Sequence, residues 1–179
     1  MRIIGGKLKG LKLNPPNNLP VRPTTDMAKE ALFNILQNQQ DLEGIKVLDL
    51  FSGTGSVALE FASRYAESVF CVDRAFQCVK YVTEVSRQHC LEQVKTLKGD
   101  VFKFLGQETG QYDIIFADPP YDLTGIPEIP KLVFDRNLLL PGGLLIVEHQ
   151  SMQNLSNHPA FNEQRRYGHS SFSFFRKTA

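Results

Sequence analysis

Asp118-Pro119-Pro120-Tyr121 brings together, in one short stretch, residue types that could carry out chemistry. It directly follows the apolar run 114–117, which predicts a buried strand. A carboxylate, two prolines and an aromatic ring at the end of a strand would form a rigid polar notch with a flat wall. Such a notch suits an enzyme that holds a planar amino group while a methyl group is delivered to its nitrogen. Asp-Pro-Pro is also common in turns, so a purely structural role stays open at this point.

Three more predicted strands have an acidic residue in or after their C-terminal part. Asp49 precedes a glycine-containing loop, Asp73 ends the second strand, and Asp100 follows the third. The loop after Asp49 consists of Phe51, Ser52, Gly53, Thr54 and Gly55. Its glycines would allow a tight turn and let a ligand lie against bare backbone. In an open parallel sheet, ligands bind outside these strand ends, so we expect the four acids to line one site.

The same residues leave a rival interpretation open. Gly53-x-Gly55-x-x-Ala58 with Asp73 further on also satisfies the fingerprint of dinucleotide-binding proteins. An NAD-dependent oxidoreductase is therefore the main alternative. An acid on the strand before the glycines suits a cofactor with a cationic amino acid portion better than a pyrophosphate. The fingerprint also leaves Asp100 and the notch after 117 without a use.

The elements that would position these residues alternate between strands and helices. After a helix that begins near 24–26, we predict strands at 47–51, 68–73, 94–97, 112–118 and 144–148, with helices or loops between them. A loop and a helix are predicted before Gly142-Gly143. Two final strands, 164–167 and 171–175, would be joined by a turn at Gly168. This pattern predicts an α/β fold with a doubly wound, Rossmann-like, seven-stranded sheet that ends in an antiparallel hairpin.

Composition limits the broad class of protein. The chain has 179 residues, 42% of them hydrophobic, and a net charge of +1, which fits one ordinary domain, alone or with a small extension. Three cysteines without a Cys-x-x-Cys pair favour neither disulfides nor zinc, so we expect no metal. We see no membrane-spanning stretch and no signal peptide, and we expect a cytoplasmic protein. Residues 1–25 carry five basic and no acidic residues, a distribution typical of a polyanion-binding surface.

Taken together, these motifs resemble the class I S-adenosylmethionine-dependent methyltransferases that act on the exocyclic amines of nucleobases. The N-terminal motifs are similar, more narrowly, to those of the bacterial 16S ribosomal RNA guanine-N2 methyltransferase family. These motifs are Arg2-Ile3-Ile4-Gly5-Gly6-Lys7, Arg22-Pro23-Thr24-Thr25-Asp26, Lys29-Glu30 and Leu32-Phe33-Asn34. The similarity extends over nearly the whole chain. It implies methyl transfer from S-adenosylmethionine to the N2 of a guanine in the 16S rRNA of the small ribosomal subunit.

The resemblance also implies roles for particular residues. The cofactor would be bound by Asp49, Phe51, Ser52, Gly53, Thr54, Gly55, Asp73, Arg74, Asp100, Val101, Thr25 and Asp26. Catalysis would fall to Asp118, Pro119, Pro120 and Tyr121. Asp118 and the Pro119 carbonyl would accept the two N–H groups of the target amine, and Tyr121 would stack on the flipped base. Gln77, Cys78 and His149 have no role in this scheme, and we expect Cys71 and Cys78 to be packing residues.

For RNA binding, the basic side chains Arg2, Lys7, Lys9 and Arg22 are the candidates. We expect an RNA-binding hairpin and linker at 1–23, a methyltransferase domain at 24–179, and a monomer. Two other hypotheses share part of the pattern. An adenine-N6 DNA methyltransferase has the same Asp-Pro-Pro-Tyr motif but usually needs a separate target-recognition domain. A non-catalytic RNA-binding module would explain the basic ends but not the acids at the strand ends.

Overall fold

A single mixed sheet of seven strands forms the centre of the fold, with the strand order β3-β2-β1-β4-β5-β7-β6. The computed structural model describes residues 1–21 and 24–179. The strands are β1 (Lys46–Leu50), β2 (Ser68–Asp73), β3 (Val94–Lys98), β4 (Tyr112–Ala117), β5 (Leu139–Gln150), β6 (Phe161–Tyr167) and β7 (Ser170–Arg176). The helices are α1 (Asp26–Gln39), α2 (Ser56–Ser63), α3 (Phe76–Gln88), α4 (Val101–Gln107) and α5 (Glu128–Asp135). Strands β1 to β5 are parallel, and only β7 and β6 continue the sheet with antiparallel pairing.

Helices cover both faces of the sheet and create two hydrophobic cores. Residues from α1, α2 and α3 pack on one face, where the strands contribute Val47, Ile114 and Ile146. Residues from α4 and α5 pack on the other face. The strands contribute Leu48 and Ile115 there, each directly after a residue of the first face. Because successive strand residues face opposite sides, a strand that is buried on both sides must be apolar almost throughout. The doubly wound fold predicted from the apolar runs is therefore confirmed.

The N-terminal segment forms the expected hairpin and packs on α1 and α2. Arg2 pairs with Lys12 in an antiparallel bridge, and Ile3 is buried in the core that lies beneath. The carboxylate of Glu60, on α2, accepts hydrogen bonds from two backbone N–H groups of the hairpin, at 2.9 Å each. Glu60 also pairs with Lys29 of α1 at 3.3 Å, and both side chains are completely buried. These contacts fix the N-terminal segment to the helix that follows the glycine loop.

The start of β5 differs from the sequence-based prediction. The strand begins at Leu139 and not at 144, and it includes Pro141-Gly142-Gly143, which precedes the predicted start of the strand. Leu139 pairs with Tyr112, and the register then shifts before Leu144 pairs with Ile114. The shift accommodates the proline and the glycines, which a regular central strand would not tolerate. Within the part of the chain that the structure describes, no helix is long and apolar enough to cross a membrane.

Candidate functional site

One cavity of about 1290 Å³ lies at the C-terminal ends of the parallel strands. We call it the strand-end cavity. The loops after β1, β2, β3 and β4, the end of β5, the start of α1 and the β6–β7 turn all contribute to its wall. The predicted site residues in the wall are Thr25, Asp49, Phe51, Ser52, Gly53, Thr54, Asp73, Arg74, Asp100, Val101, Asp118, Pro119, Pro120 and Tyr121. The expectation that the strand-end acids lie around one site agrees with this geometry.

The loop after β1 has an unusual backbone that depends on Asp73. Phe51 has a φ of 58° and Gly53 a φ of 54°, so the chain leaves the strand through two left-handed residues. For Phe51 this conformation is uncommon and strained. Asp73 Oδ2 accepts a hydrogen bond from the Gly53 N–H at 2.9 Å, and its Oδ1 accepts one from Ala75 at 2.8 Å. The carboxylate at the end of β2 therefore holds the glycine loop in place and still lines the cavity.

Asp49 is buried, and only part of the hydrogen-bonding capacity of its carboxylate is used. Its residue is only 1% exposed, and it lies in the cavity wall. Among the residues that the structure describes, the Oδ2 atom of Asp49 has no hydrogen-bond partner. Burial, and then the negative charge of nearby Asp73, raise the pKa of Asp49 well above its usual range. A buried carboxylate of this kind is a ready acceptor for a cationic group that enters the cavity.

Asp100 is both an end-of-strand acid and a helix cap. Its Oδ1 accepts a hydrogen bond from the Lys103 N–H at 3.0 Å at the start of α4. This contact uses one of the two carboxylate oxygens, and Asp100 also lines the cavity, next to the buried Val101. Thr25 has the same double position, since its hydroxyl accepts a hydrogen bond from Ala28 and caps α1.

At the other end of the cavity, a threonine hydroxyl bridges two carboxylates. Thr24 Oγ1 lies 2.9 Å from Glu148 Oε1 and 3.3 Å from Asp118 Oδ2. The two acids are neighbours because Ala117 of β4 pairs with Val147 of β5, and each acid is the next residue along its strand. The Tyr121 hydroxyl lies 2.9 Å from Ser170 Oγ at the start of β7. The notch after β4 therefore contacts residues from both ends of the chain.

Some predicted residues lie elsewhere. Gly55 and Asp26 are not in the cavity wall: Gly55 adopts φ 77° directly before α2, and Asp26 is exposed in the first turn of α1. Three of the RNA-binding candidates, Arg2, Lys7 and Lys9, are exposed on the N-terminal segment, outside the cavity. The fourth, Arg22, lies outside the described residues.

The sequence analysis gave no role to several residues that line the cavity. They are Glu148 and four residues at the β6–β7 turn, Tyr167, Gly168, His169 and Ser170. A signal for Glu148 was present, because it is an acid near the end of a buried parallel strand, as Asp118 is. The turn carries no such signal, since its approach to the cavity depends on the antiparallel pairing of β7 with β5.

Two of the residues left without a role, His149 and Cys78, are structural in this fold, whereas Gln77 is exposed on α3. His149 is 1% exposed, and its two ring nitrogens lie 2.7 Å from the Gln150 carbonyl oxygen and 2.6 Å from Ser173 Oγ. Burial lowers the pKa of His149, which favours the neutral ring. Cys71 and Cys78 are buried, and burial raises the pKa of the Cys78 thiol to about 11. Both cysteines are therefore unreactive packing residues, as predicted.

The sheet order, with an antiparallel seventh strand inserted next to β5 and acids at the parallel strand ends, defines a class I methyltransferase fold. Solved structures agree. A chain from Escherichia coli that is described as a methyltransferase superposes with a TM-score of 0.88 and 28% identity, covering 100% of this chain and 98% of that one. A Haemophilus influenzae chain described as a methylase gives a TM-score of 0.81 and 26% identity over 99% and 98% of the two chains.

The chain belongs to the family described as Conserved hypothetical protein 95, which it matches over residues 1–176. It is similar to Ribosomal RNA small subunit methyltransferase D of Escherichia coli, with 32% identity over 164 residues, which cover 89% of this chain and 80% of that protein. The protein of the same name from Buchnera aphidicola is 29% identical over 154 residues, 86% and 78% of the two chains. The family predicted from the N-terminal motifs and the Asp-Pro-Pro-Tyr segment is confirmed.

Proposed function

We propose that the protein is an S-adenosylmethionine-dependent methyltransferase that modifies the exocyclic N2 of a guanine in the 16S rRNA of the small ribosomal subunit. One observation carries the proposal: a single cavity joins the buried Asp49 and the Asp73-held glycine loop to the Asp118–Tyr121 notch. The relatives named Ribosomal RNA small subunit methyltransferase D support the cofactor-dependent reaction and the rRNA substrate. An oxidoreductase would have no use for the notch.

The residues present fit S-adenosylmethionine. The open oxygen of Asp49 would accept from the cationic amino group, and the loop Phe51–Gly55 would enclose the methionine portion. Asp73 would accept from the ribose hydroxyls, with Arg74 beside it, and Asp100 and the Val101 backbone would contact the adenine. Thr25 and Asp26 would close the cavity from the start of α1. When bound, this cofactor supplies an electrophilic methyl group on a positively charged sulfur.

The protein's own contribution to the reaction would be to orient and polarise the target amine. A guanine N2 is a weak nucleophile because its lone pair is delocalised into the ring. Asp118 would accept one N–H and the Pro119 carbonyl the other, which directs the lone pair toward the methyl carbon and stabilises the positive charge that develops on nitrogen. Once N2 carries the methyl group it would have one proton too many, and Asp118 or water would take that proton.

The remaining parts of the notch would hold the flipped base. Pro119 and Pro120 fix the backbone and add no competing N–H groups. Tyr121 would stack on the base, since an enzyme that acts on a base edge must take the base out of its stack. The hydrogen bond between the Tyr121 and Ser170 hydroxyls supports this role, because it restricts the orientation of the ring.

RNA contacts outside the cavity would come from the basic N-terminal segment. Arg2, Lys7 and Lys9 are exposed there and would neutralise backbone phosphates, together with Arg22. The buried contacts of Glu60 with the hairpin support this assignment, since they give the segment a fixed position relative to the cavity. The proposal includes a hairpin and linker at 1–23, a methyltransferase domain at 24–179, and a monomer that acts in the cytoplasm, where ribosomal subunits are found.

The test is methyl transfer from radiolabelled S-adenosylmethionine into unmethylated small ribosomal subunits. Naked 16S rRNA, tRNA and DNA serve as parallel substrates, and the products are digested to nucleosides. We expect label in N2-methylguanosine from the subunit or its rRNA. Label in another nucleoside would contradict the guanine-N2 assignment and leave the methyltransferase class intact. Binding of NAD without any methyl transfer would contradict the proposal as a whole.

A further inference from the structure

A second carboxylate faces the target end of the cavity, and the mechanism above does not use it. Glu148 is only 5% exposed and lies in the cavity wall. Thr24 contacts its carboxylate at 2.9 Å, and Glu148 lines the same cavity as Asp118 and Tyr121. A carboxylate in this position can accept a hydrogen bond from a donor group on a bound base.

Strand register fixes the position of Glu148 relative to Asp118. Ala117 and Val147 are partners in the parallel pairing of β4 and β5, and parallel strands lie about 4.8 Å apart. The two acids follow these partners directly, and both make a contact with the Thr24 hydroxyl from the α1 side of the sheet. The hydroxyl has one hydrogen to donate, and the shorter distance, 2.9 Å, is to Glu148. Thr24 therefore orients Glu148 beside the amine-binding acid.

The chemistry of guanine matches two neighbouring carboxylates. On its Watson–Crick edge the ring N1–H lies next to the N2 amine, so guanine presents adjacent donors. Adenine presents an acceptor at N1 beside its amine. If Asp118 accepts from the amine, an acid on the next strand is in a position to accept from N1–H. Against adenine the same acid would face a lone pair, and a buried polar group would be left unpaired.

We propose that Glu148 is a specificity residue that accepts a hydrogen bond from the ring N1–H of the target guanine, with Thr24 as its positioning residue. The inference rests on the proposed function and adds to it how guanine is distinguished from adenine. It also explains how one Asp-Pro-Pro-Tyr notch, a motif shared with enzymes that modify adenine, can serve a guanine substrate.

Nucleoside competitors test the inference without altering the RNA. Methyl transfer into small ribosomal subunits is measured against guanosine, which has both N1–H and the 2-amino group, and 2-aminopurine riboside, which keeps the amine but has no N1–H. For the unaltered protein we expect guanosine to inhibit about tenfold more strongly, the effect of one hydrogen bond lost to an unpaired buried group. Equal inhibition by the two nucleosides would overturn the inference.

The variant Glu148→Gln makes the test specific to this residue. An amide can donate to an N1 lone pair, so we expect the preference for guanosine over 2-aminopurine riboside to fall about tenfold, to near equality. Binding of S-adenosylhomocysteine should be unchanged, because Glu148 lies at the target end. Glu84→Gln, the same substitution on the exposed surface of α3, is the matched control and should behave like the unaltered protein. A slower Glu148→Gln enzyme that keeps the full preference would overturn the inference.

Two further results keep the outcome interpretable. If Glu148→Gln does not fold, Thr24→Val removes the orienting hydroxyl and should reduce the guanosine preference by about threefold, whereas an undiminished preference would count against the inference. The proposed function is judged separately, from the product of the unaltered protein. If that product is not N2-methylguanosine, the proposed function and the inference both fail. If it is, and the preference for guanosine over 2-aminopurine riboside is missing, only the inference fails.

Discussion

The two ends of the strand-end cavity are held together over very different distances in the chain. In the cofactor half, the loops after β1, β2 and β3, the side-chain contacts join residues 2, 3 and 20 positions apart. The target half consists of the ends of β4 and β5, the start of α1 and the β6–β7 turn. There the side-chain contacts join residues 49, 94 and 124 positions apart. The cofactor half belongs to neighbouring βα units, whereas the target half needs the complete fold.

This difference suggests how the two halves can vary independently. A βα unit and its loop form one local structure, so the cofactor half depends on few other parts of the chain. The target half combines a residue from the N-terminal part, Thr24, with residues from the C-terminal hairpin such as Ser170. Substitutions in the cofactor half should therefore change cofactor affinity, and those in the target half should change turnover or base choice.

The largest effect should come from removing the acid of the notch. In Asp118→Ala we expect methyl transfer to fall on the order of 10²- to 10³-fold or more, because the acceptor that polarises the amine is gone. Calorimetry should show S-adenosylhomocysteine binding within about twofold of the unaltered protein, a difference of under 0.5 kcal/mol. Asp135→Ala, at the exposed end of α5, is the control. Loss of cofactor binding in Asp118→Ala would contradict the separation of the two halves.

The second-largest effect, in the cofactor half, should be on cofactor binding and not on turnover. Asp73→Asn keeps one acceptor oxygen but loses the charge that holds the Gly53 N–H and would bind the ribose. We expect the Kd of S-adenosylhomocysteine to rise by about 30-fold, or about 2 kcal/mol. The value of kcat at saturating cofactor should change by no more than about threefold. A large loss of kcat with an unchanged Kd would show that Asp73 acts at the target end instead.

The same contrast explains what the sequence could predict. Asp49, Asp73 and Asp100 were found because each ends or lies in a recognisable apolar strand, and their meeting follows from parallel pairing alone. Glu148 carried the same signal, as the acid that ends the predicted strand 144–148, but its place directly beside Asp118 depends on the β4–β5 register, which shifts at the Pro141-Gly142-Gly143 segment. No local pattern encodes such a shift or the approach of Thr24 across 124 positions.

The N-terminal segment gives a second case. Its hairpin was predicted from the spacing of glycines, but its attachment to the core was not. The attachment depends on Glu60, which the sequence pattern places within an apolar helix and which accepts two hairpin N–H groups. A charged residue in an apolar helix is a signal of buried pairing, but its partner cannot be named without the fold.

A smaller, pH-dependent effect should come from Asp49. Because burial raises its pKa in the folded protein, the folded state binds a proton that the unfolded state loses above the ordinary pKa of an aspartate. Proton binding by Asp49 therefore stabilises the folded state at low pH, and this contribution is lost as pH rises from the ordinary pKa of an aspartate to the raised pKa of Asp49. In Asp49→Asn we expect a higher melting temperature than the unaltered protein at neutral pH, and no difference of this sign at low pH. Parallel melting curves across pH would contradict the raised pKa.

Cofactor affinity should rise, and not fall, as Asp49 loses its proton. A cationic ligand favours the ionised form of Asp49, so binding of S-adenosylhomocysteine by the unaltered protein should strengthen as pH rises through the raised pKa. In Asp49→Asn the affinity should be weaker and nearly independent of pH over that range. Titration calorimetry in two buffers of different ionisation enthalpy would detect the proton released on binding. An equal pH dependence in the variant would show that another group is responsible.

The smallest effect should come from the hydroxyl pair that joins the notch to the C-terminal hairpin. Ser170→Ala removes the partner of the Tyr121 hydroxyl, at 2.9 Å, and leaves the ring in place to stack. We expect kcat to fall about fivefold, with cofactor binding unchanged, and Tyr121→Phe to give a similar loss. Because both changes break one contact, the double variant should lose no more than either single variant, a coupling of about 1 kcal/mol. Additive losses would mean that packing alone orients the ring, and that the hairpin contributes shape rather than a specific contact to the target half.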